Sequence, residues 1–239
     1  TAGSHGVYRP GGAALNSAQV GANRAAQAIA AAMKSDDADG PAFEKPARNA
    51  LHYAEEVLDR ATAGFRDSGE DTTGSQLRET GRDMSVHAGL VRSREGLGAL
   101  LNRVRRRRTR FADAVAADPS SRRSVDRVFL LRDILTSQHV YLAAMIDYLD
   151  HGGRSRGAVL YTDPQGDLPI APDGTELELP EIFRHRRDDG ALDVQAQQAR
   201  LPEGASEPEF TWRSVRPIPD TDESFEKVWR VYREQGPVR

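Results

Sequence analysis

The 239-residue chain has a formal net charge of −3, 38% hydrophobic residues, only 6% aromatic residues and no cysteine. Its length allows one large domain or two small ones. The low apolar content predicts burial in long amphipathic helices, or against another molecule, rather than in a thick aromatic core. The lack of cysteine excludes disulfides, thiolate metal sites and cysteine nucleophiles. No apolar run approaches the roughly 18 residues of a membrane span, so we expect no membrane partner.

The N-terminal part of the chain predicts a glycine-rich loop followed by a helix. Residues 1–16 form the loop, and the helix starts at Asn16 or Ser17, both good N-caps, and runs through an alanine-rich body to about Met33. Residues 34–46 are polar and interrupted by Gly and Pro, which predicts a linker. The opening residues have neither the basic nor the apolar region of a signal peptide, so we expect a cytoplasmic protein.

Four stretches then repeat apolar residues with the spacing of amphipathic helices. They cover residues 47–65, 77–91, 97–115 and 125–149. The third is predicted to end at Asp118-Pro119, and the fourth at His151-Gly152-Gly153. The short connections favour an antiparallel helical bundle over residues 47–152.

The character of the sequence changes in a C-terminal extension over residues 153–239. AVLYTD and EFTWRSVRPI predict short strands, separated by an acidic, proline-spaced stretch with no clear prediction. SFEKVWRVYREQ predicts a closing helix. The fold class expected from these patterns is mainly α, with an irregular α+β tail.

Motifs of self-sufficient enzymes are missing. The sequence has no GxGxxG dinucleotide fingerprint, no GxxxxGK[ST] phosphate loop and no HExxH pair, and its six histidines lack the spacing of metal ligands. We therefore expect no metal site and no complete catalytic apparatus within this chain.

The most informative stretch is residues 4–16, SHGVYRPGGAALN. A glycine-rich loop that carries a histidine and an arginine enters a helix N-terminus, whose free N–H groups and partial positive charge suit an anionic partner. Gly11-Gly12 lets the backbone approach a flat or charged ligand closely. Arg9 could hold a carboxylate through two parallel hydrogen bonds.

This stretch resembles the end of the FAD-binding domain in the fumarate reductase, succinate dehydrogenase and L-aspartate oxidase flavoprotein family. There, an HGxxRxGG-type loop enters a helix that faces the flavin. The resemblance implies that Arg9 and His5 bind the substrate carboxylate. It implies that residues 1–34 are the C-terminal segment of an FAD-binding domain, with 35–46 as linker. The residues that it implies for flavin binding are Gly11, Gly12, Ala13, Ala14, Leu15 and Asn16.

Two weaker matches follow in the family order. The stretches 77–80 (LRET) and 89–97 (GLVRSREGL) resemble the pattern of the family's helical domain, and Ser155-Arg156-Gly157 resembles the segment after that domain. For Arg92 and Arg156, which lie in these stretches, structural salt bridges and ligand contacts are both open interpretations.

The function that the resemblance implies is that of a small or C-terminal subunit of an FAD-dependent oxidoreductase. An FAD-binding large subunit would share its FAD with this chain, and a hydride would be transferred at a carbon next to a carboxylate or amine of a small substrate. On this hypothesis the chain starts inside a domain that another polypeptide completes, and the family's proton-transfer arginine lies on that partner. A start at Thr1 would fit removal of an initiator methionine, a processing cut or a chosen boundary of the expressed chain.

The alternative is a non-enzymatic helical interaction protein or a nucleic-acid-binding protein. Its support is the arginine-rich stretch 103–110 together with Arg122-Arg123, since a basic stripe can neutralise phosphates. The net negative charge and the absence of interleaved aromatic residues argue against nucleic acid as a partner. A solvated helix face, or pairing with the acidic tail around Asp173 and Glu176, explains the run more simply.

Overall fold

The computed structural model describes residues 11–32, 41–157 and 159–215, together with Arg230 and Glu234. Within these residues the protein is mainly helical with small sheets, as the sequence predicts. The chain forms two compact units, one from the part up to Ser85 with Val104–Leu135, the other from Val86–Arg103 with the part from Thr136 onward. The helices are α1 (Gly11–Ala32), α2 (Pro41–Ser68), α3 (Thr73–His87), α4 (Arg94–Thr109), α5 (Phe111–Ala114) and α6 (Arg122–Asp150). The strands are β1 (Val91–Arg92), β2 (Leu160–Asp167), β3 (Gln195–Arg200) and β4 (Glu209–Ser214).

Helix α1 begins at Gly11, so the predicted loop is wrong from this residue onward. Two glycines disfavour a helix by roughly 1 kcal/mol each, but the Ala13-Ala14-Leu15 run that follows consists of strong helix formers. Asn16 therefore lies inside the helix and does not cap it.

The predicted linker contains the start of helix α2, at Pro41. Proline suits the first helical position because its missing N–H would have no intrahelical acceptor there. Glu44 lies in the first turn, where a negative charge is favourable, and it accepts a 3.2 Å hydrogen bond from Arg48 one turn later.

The core of the first unit is mainly aliphatic, with Phe111 as a buried aromatic residue. Small and branched side chains fill it, as expected for a chain with few aromatic residues. Its buried apolar residues among those described are Val57, Ala61, Val104, Phe111, Val115, Ala116, Ala117, Val128, Leu131 and Leu135.

Backbone hydrogen bonds between distant segments hold this unit together where α2 ends and α3 begins. The N–H of Thr72 donates to the carbonyl of Ala116, and the N–H of Ala116 donates to the Thr72 hydroxyl, both over 2.9 Å. The N–H of Ala117 donates to the carbonyl of Ala61 over 2.9 Å. After α5 the chain is not helical, and these bonds provide hydrogen-bond partners for its buried backbone N–H and C=O groups. The single helix predicted over 97–115 is interrupted at Arg110, which separates α4 from α5.

In the second unit, the stretch after α3 becomes a strand, where the sequence pattern predicts continued helix. Val91 pairs in parallel with Leu160, and Arg92 with Tyr161. Gly89 interrupts the helical pattern two residues earlier, and glycine costs a helix about 1 kcal/mol relative to alanine. Val91 is therefore a strand residue, and the predicted helix 77–91 ends at His87.

The other predicted elements of this unit are found, and one strand is additional. Helix α6 ends at Asp150, before Gly152, whose φ of +88° stops the helix as predicted. Strands β2 and β4 overlap the two predicted strands, and β3 pairs antiparallel with β4. The sequence QAQQAR of β3 has no β-branched or aromatic residue to signal a strand. Of the predicted closing helix, only Arg230 and Glu234 lie among the described residues, and both are helical.

Polar side chains of α6 dock the β3–β4 hairpin. The carboxylate oxygen Oδ2 of Asp147 accepts hydrogen bonds from Gln197 Nε2 over 2.7 Å and from Trp212 Nε1 over 2.9 Å. The Trp212 ring stacks on His151, with 4.8 Å between centroids. The buried His139 places Nε2 3.2 Å from Glu207. Because an isolated two-stranded sheet is marginally stable, its position depends on these contacts.

No helix in the described ranges is both long enough and apolar enough to span a bilayer.

We predict that Asp71→Ala lowers the free energy of unfolding by about 1 kcal/mol at neutral pH. The Asp71 carboxylate accepts hydrogen bonds from the N–H and the hydroxyl of Thr73, at 2.9 and 2.7 Å, in the first turn of α3. Burial alone would raise the pKa of Asp71, but hydrogen bonds from Thr73 and Ser124 and the charge of Arg127 together outweigh it and lower the pKa. The stabilisation is therefore present at neutral pH and is lost as the pH falls below about 4.

Urea unfolding of both proteins as a function of pH tests this. The matched control is Asp59→Ala, an exposed carboxylate on α2, which we expect to cost less. An equal loss in both variants, or a difference from the unsubstituted protein that does not shrink in acid, would contradict the capping role.

We predict that Asp147→Ala loosens the hairpin and lowers the free energy of unfolding by about 2 kcal/mol, because two donors lose a charged acceptor. In a Trp229→Phe background, Trp212 is the single tryptophan of the chain, so its fluorescence reports the local effect. A red shift and stronger quenching by iodide are expected. Asp150→Ala, at the exposed end of the same helix, should leave the Trp212 emission unchanged.

Candidate functional site

The structure places the flavin-binding residues implied by the resemblance at the start of α1. Gly11, Gly12, Ala13, Ala14, Leu15 and Asn16 form its first turns. The first N–H groups of any helix lack intrahelical acceptors and carry a partial positive charge. No acidic residue is present in the first turn of α1 to neutralise it. His5 and Arg9 lie outside the described residues.

The described side chains of the rest of α1 are exposed in the part of the chain that the structure describes. All described side chains from Ala18 to Ala31 are exposed, including the apolar Val20 (54%) and Ile29 (56%). Over its 22 residues the helix contains one charged residue, Arg24. An almost uncharged helix with exposed apolar side chains has the composition of an element that packs against another surface.

Arg92, in the first weaker match to the family, has a structural role. Its Nε donates to the carbonyls of Ala88 and Gly89, at 3.1 and 2.7 Å, and its Nη1 donates to the hydroxyl of Tyr161 over 3.1 Å. The guanidinium therefore holds the α3–β1 turn against strand β2.

The second weaker match, Ser155-Arg156-Gly157, is also tied into the fold. Ser155 Oγ accepts from the Tyr161 N–H over 2.9 Å, and Arg156 forms ion pairs with Asp188 at 3.3 Å and Asp193 at 2.6 Å. Of the two interpretations open from the sequence, the structure gives the salt bridges for Arg156.

Beside this segment, the Tyr148 hydroxyl donates to the Arg154 carbonyl over 2.9 Å. Burial raises the pKa of Tyr148 above its usual value. The phenol therefore stays protonated at neutral pH and keeps this hydrogen bond.

Ion pairs within the protein engage part of the arginine run of α4, residues 105–108. Arg107 contacts Glu79 at 2.5 Å and Asp83 at 2.9 Å, and its side chain is only 22% exposed. The sequence pattern predicts that Arg107 points away from the core, but two carboxylates of α3 cover it. Its partners lie on α3 and not in the acidic tail.

A groove of about 790 Å³ lies in the second unit, in a stretch that the sequence left without a structural prediction. We call it the C-terminal groove. It lies between the end of β2, the turn that follows it and the segment 184–187. Its lining combines apolar and charged side chains: Arg154, Asp167, Leu168, Pro169, Ile170, Glu176, Leu177, Arg184, His185, Arg186 and Arg187.

Three of the four arginines in the C-terminal groove have a carboxylate partner. Arg154 pairs with Asp189 at 3.1 Å, Arg186 with Asp163 at 2.9 Å, and Arg184 with Glu181. The Arg184 guanidinium lowers the pKa of Glu181 through a hydrogen bond. No ion pair or side-chain hydrogen bond joins Arg187 to any other residue that the structure describes.

In the part of the chain that the structure describes, no three His, Asp or Glu side chains lie close enough to hold a metal ion. Comparison with protein-family models, curated proteins and solved structures gives no match for this chain.

We predict that Arg107→Gln lowers the free energy of unfolding by about 1–2 kcal/mol, because two carboxylates of α3 lose a charged donor. Arg106→Gln, one residue earlier and exposed, should have little effect. Thermal or urea unfolding of the two variants measures the difference. Equal stability of both variants would show that the ion pairs with Glu79 and Asp83 add nothing.

Proposed function

We propose that this chain is the C-terminal or small subunit of an FAD-dependent oxidoreductase. It completes the flavin and carboxylate-substrate site of an FAD-binding large subunit. The reaction class is hydride transfer at a carbon next to a carboxylate or amine, and the bound FAD supplies the hydride acceptor or donor.

The observation that carries the proposal is helix α1 together with the loop sequence before it. The HGxxRxGG-type stretch ends at Gly11-Gly12, where α1 begins, and the described part of the helix has the exposed apolar side chains Val20 and Ile29. A helix N-terminus with no acidic residue in its first turn suits the electron-rich edge of a flavin or an anionic intermediate. The exposed Val20 and Ile29 suit burial against the large subunit.

Each part of this stretch has a distinct task in the proposed site. The N–H groups at the start of α1 donate toward the flavin, and Gly11 and Gly12 allow the backbone to come close. Arg9, assisted by His5, binds and orients the substrate carboxylate. Fixing the carboxylate in this way holds the reacting carbon at the flavin and lowers the entropic cost of the reaction. The proton that accompanies hydride transfer is handled by a residue of the large subunit.

Nucleic-acid binding is the less supported alternative function. Its support was the arginine run of α4, and Arg107 of that run is paired with Glu79 and Asp83. A paired guanidinium contributes less to phosphate neutralisation.

The test is reconstitution of the chain with the FAD-binding polypeptide encoded beside it. We expect a stable complex that carries flavin absorbance, whereas this chain alone carries none. In the complex, Arg9→Gln should weaken reduction or oxidation of small carboxylate substrates by about 100-fold in kcat/KM, through loss of a charged, two-point hydrogen bond. The flavin spectrum should be retained.

Arg82→Gln is the matched control, since Arg82 is an exposed arginine on α3. Failure of the two chains to associate, or a complex without flavin, would contradict the proposal. An Arg9→Gln complex as active as Arg82→Gln would contradict the role of Arg9.

A further inference from the structure

The C-terminal groove has the size and the wall composition of a small-molecule site. Its volume of about 790 Å³ lies within the range of roughly 300–1,000 Å³ that ligand pockets occupy. Such pockets combine apolar walls with a few polar groups that fix orientation. The groove lies within the second unit, and what it binds does not depend on the proposed function.

The basic side of the groove is held in place by backbone hydrogen bonds. Ser155 donates its N–H to Arg186 over 3.2 Å and accepts from the N–H of Asp188 over 3.0 Å, on either side of Arg187. Backbone bridges also join His185 to Thr162 and to Asp167 of β2. At Gly166 a Cβ would collide with the His185 carbonyl, so glycine is required for this close approach. Arg187 is therefore mounted on a fixed segment.

Arg187 is the arginine of this groove that forms no ion pair with another described residue, so its charge is free to bind a ligand. The neighbouring Arg154, Arg184 and Arg186 are each paired with a carboxylate. Arg187 also lines a second recess of about 450 Å³, which contains Ser155, Arg156 and Asp188. It thus lies where two depressions of the surface meet, with no intramolecular partner among the described residues.

The groove also contains two carboxylates that form no ion pair with another described residue. Glu176 forms no ion pair or side-chain hydrogen bond with any described residue, and Asp167 has only a longer-range attraction to Arg184. A dense polyanion such as pyrophosphate would be repelled by these two carboxylates. A ligand with both a negative and a positive group would satisfy Arg187 and the carboxylates together.

The remaining wall is apolar. Leu168, Pro169, Ile170 and Leu177 line it, and Ile170 (55%) and Leu177 (41%) are exposed to solvent. The two exposed side chains flank a tight turn. In this turn the N–H of Ala171 donates a hydrogen bond to the carbonyl of Thr175, and Gly174 has a φ of +87°. Covering this wall would remove apolar surface from water.

We propose that the C-terminal groove binds a free α-amino acid with an apolar side chain. The carboxylate of the ligand pairs with Arg187, its ammonium group with Glu176 or Asp167, and its side chain packs on Leu168, Ile170 and Leu177. A ligand of this class would pair with Arg187 and with a carboxylate, and would also cover the apolar wall.

The experiment compares three ligands of the same ring size by calorimetry and thermal shift on the full chain. L-phenylalanine has all three features, phenylpropionate lacks the ammonium group, and phenethylamine lacks the carboxylate. We expect saturable binding of L-phenylalanine, with each analogue binding about tenfold more weakly, since each loses one charged contact. No binding of L-phenylalanine, or equal binding of either analogue, would overturn the proposal.

Substitutions then assign the contacts. Arg187→Gln should weaken L-phenylalanine and phenylpropionate about tenfold and leave phenethylamine unchanged. Arg213→Gln, an exposed arginine on β4, should change none of the three. The double substitution Asp167→Asn with Glu176→Gln should weaken L-phenylalanine and phenethylamine only. Unchanged L-phenylalanine affinity in Arg187→Gln would overturn the assignment of Arg187. If a variant does not fold, the affinities of the three ligands for the unsubstituted protein decide the proposal.

Discussion

The scarcity of apolar surface constrains the whole chain. With 38% hydrophobic and 6% aromatic residues, apolar burial is supplemented by polar side chains that join several of the helices and strands. Thr72 bonds the backbone of Ala116 in the first unit, and Ser155 bonds the backbone of Tyr161 in the second. Asp147 in turn fixes the β3–β4 hairpin through Gln197 and Trp212. A buried hydrogen bond of this kind adds little when made but costs more when one partner is removed.

This constraint explains how far the sequence predicts the fold. The spacing of apolar residues identifies α2 and α6, and Gly152 marks the end of α6, because these features depend on local sequence. The segment after α5 and the strand at Val91 depend on partners distant in the chain, namely Thr72 and Leu160. Gly89 disfavours helix locally, but the sequence around Val91 does not identify Leu160 as its strand partner.

The same distinction applies to the candidate sites. The loop before α1 is visible in the sequence because its glycines, arginine and histidine are contiguous. The C-terminal groove is not visible, because it combines Glu176 of one turn with Arg187 of another segment. Its property that matters most, an arginine without a carboxylate partner among four arginines, becomes apparent only when the ion pairs of its neighbours are known. A stretch rich in Arg, Asp and Glu looks in sequence like an ordinary solvated surface.

Helix α1 connects the fold to the proposed function. It is an almost uncharged helix of 22 residues, and its described side chains are all exposed. Isolated helices are marginal in water, and most helical stability in proteins comes from packing of an apolar face. A partner surface would supply that packing and would bring the start of the helix to the flavin.

The most direct measurement is hydrogen–deuterium exchange of the amides of Gly11–Ala32. It compares this chain alone with its complex with the FAD-binding subunit and FAD. We predict fast exchange in the isolated chain and strong protection in the proposed complex, with the largest change at the start of the helix when FAD is present. Exchange of α1 that is unchanged by the partner and by FAD would contradict it.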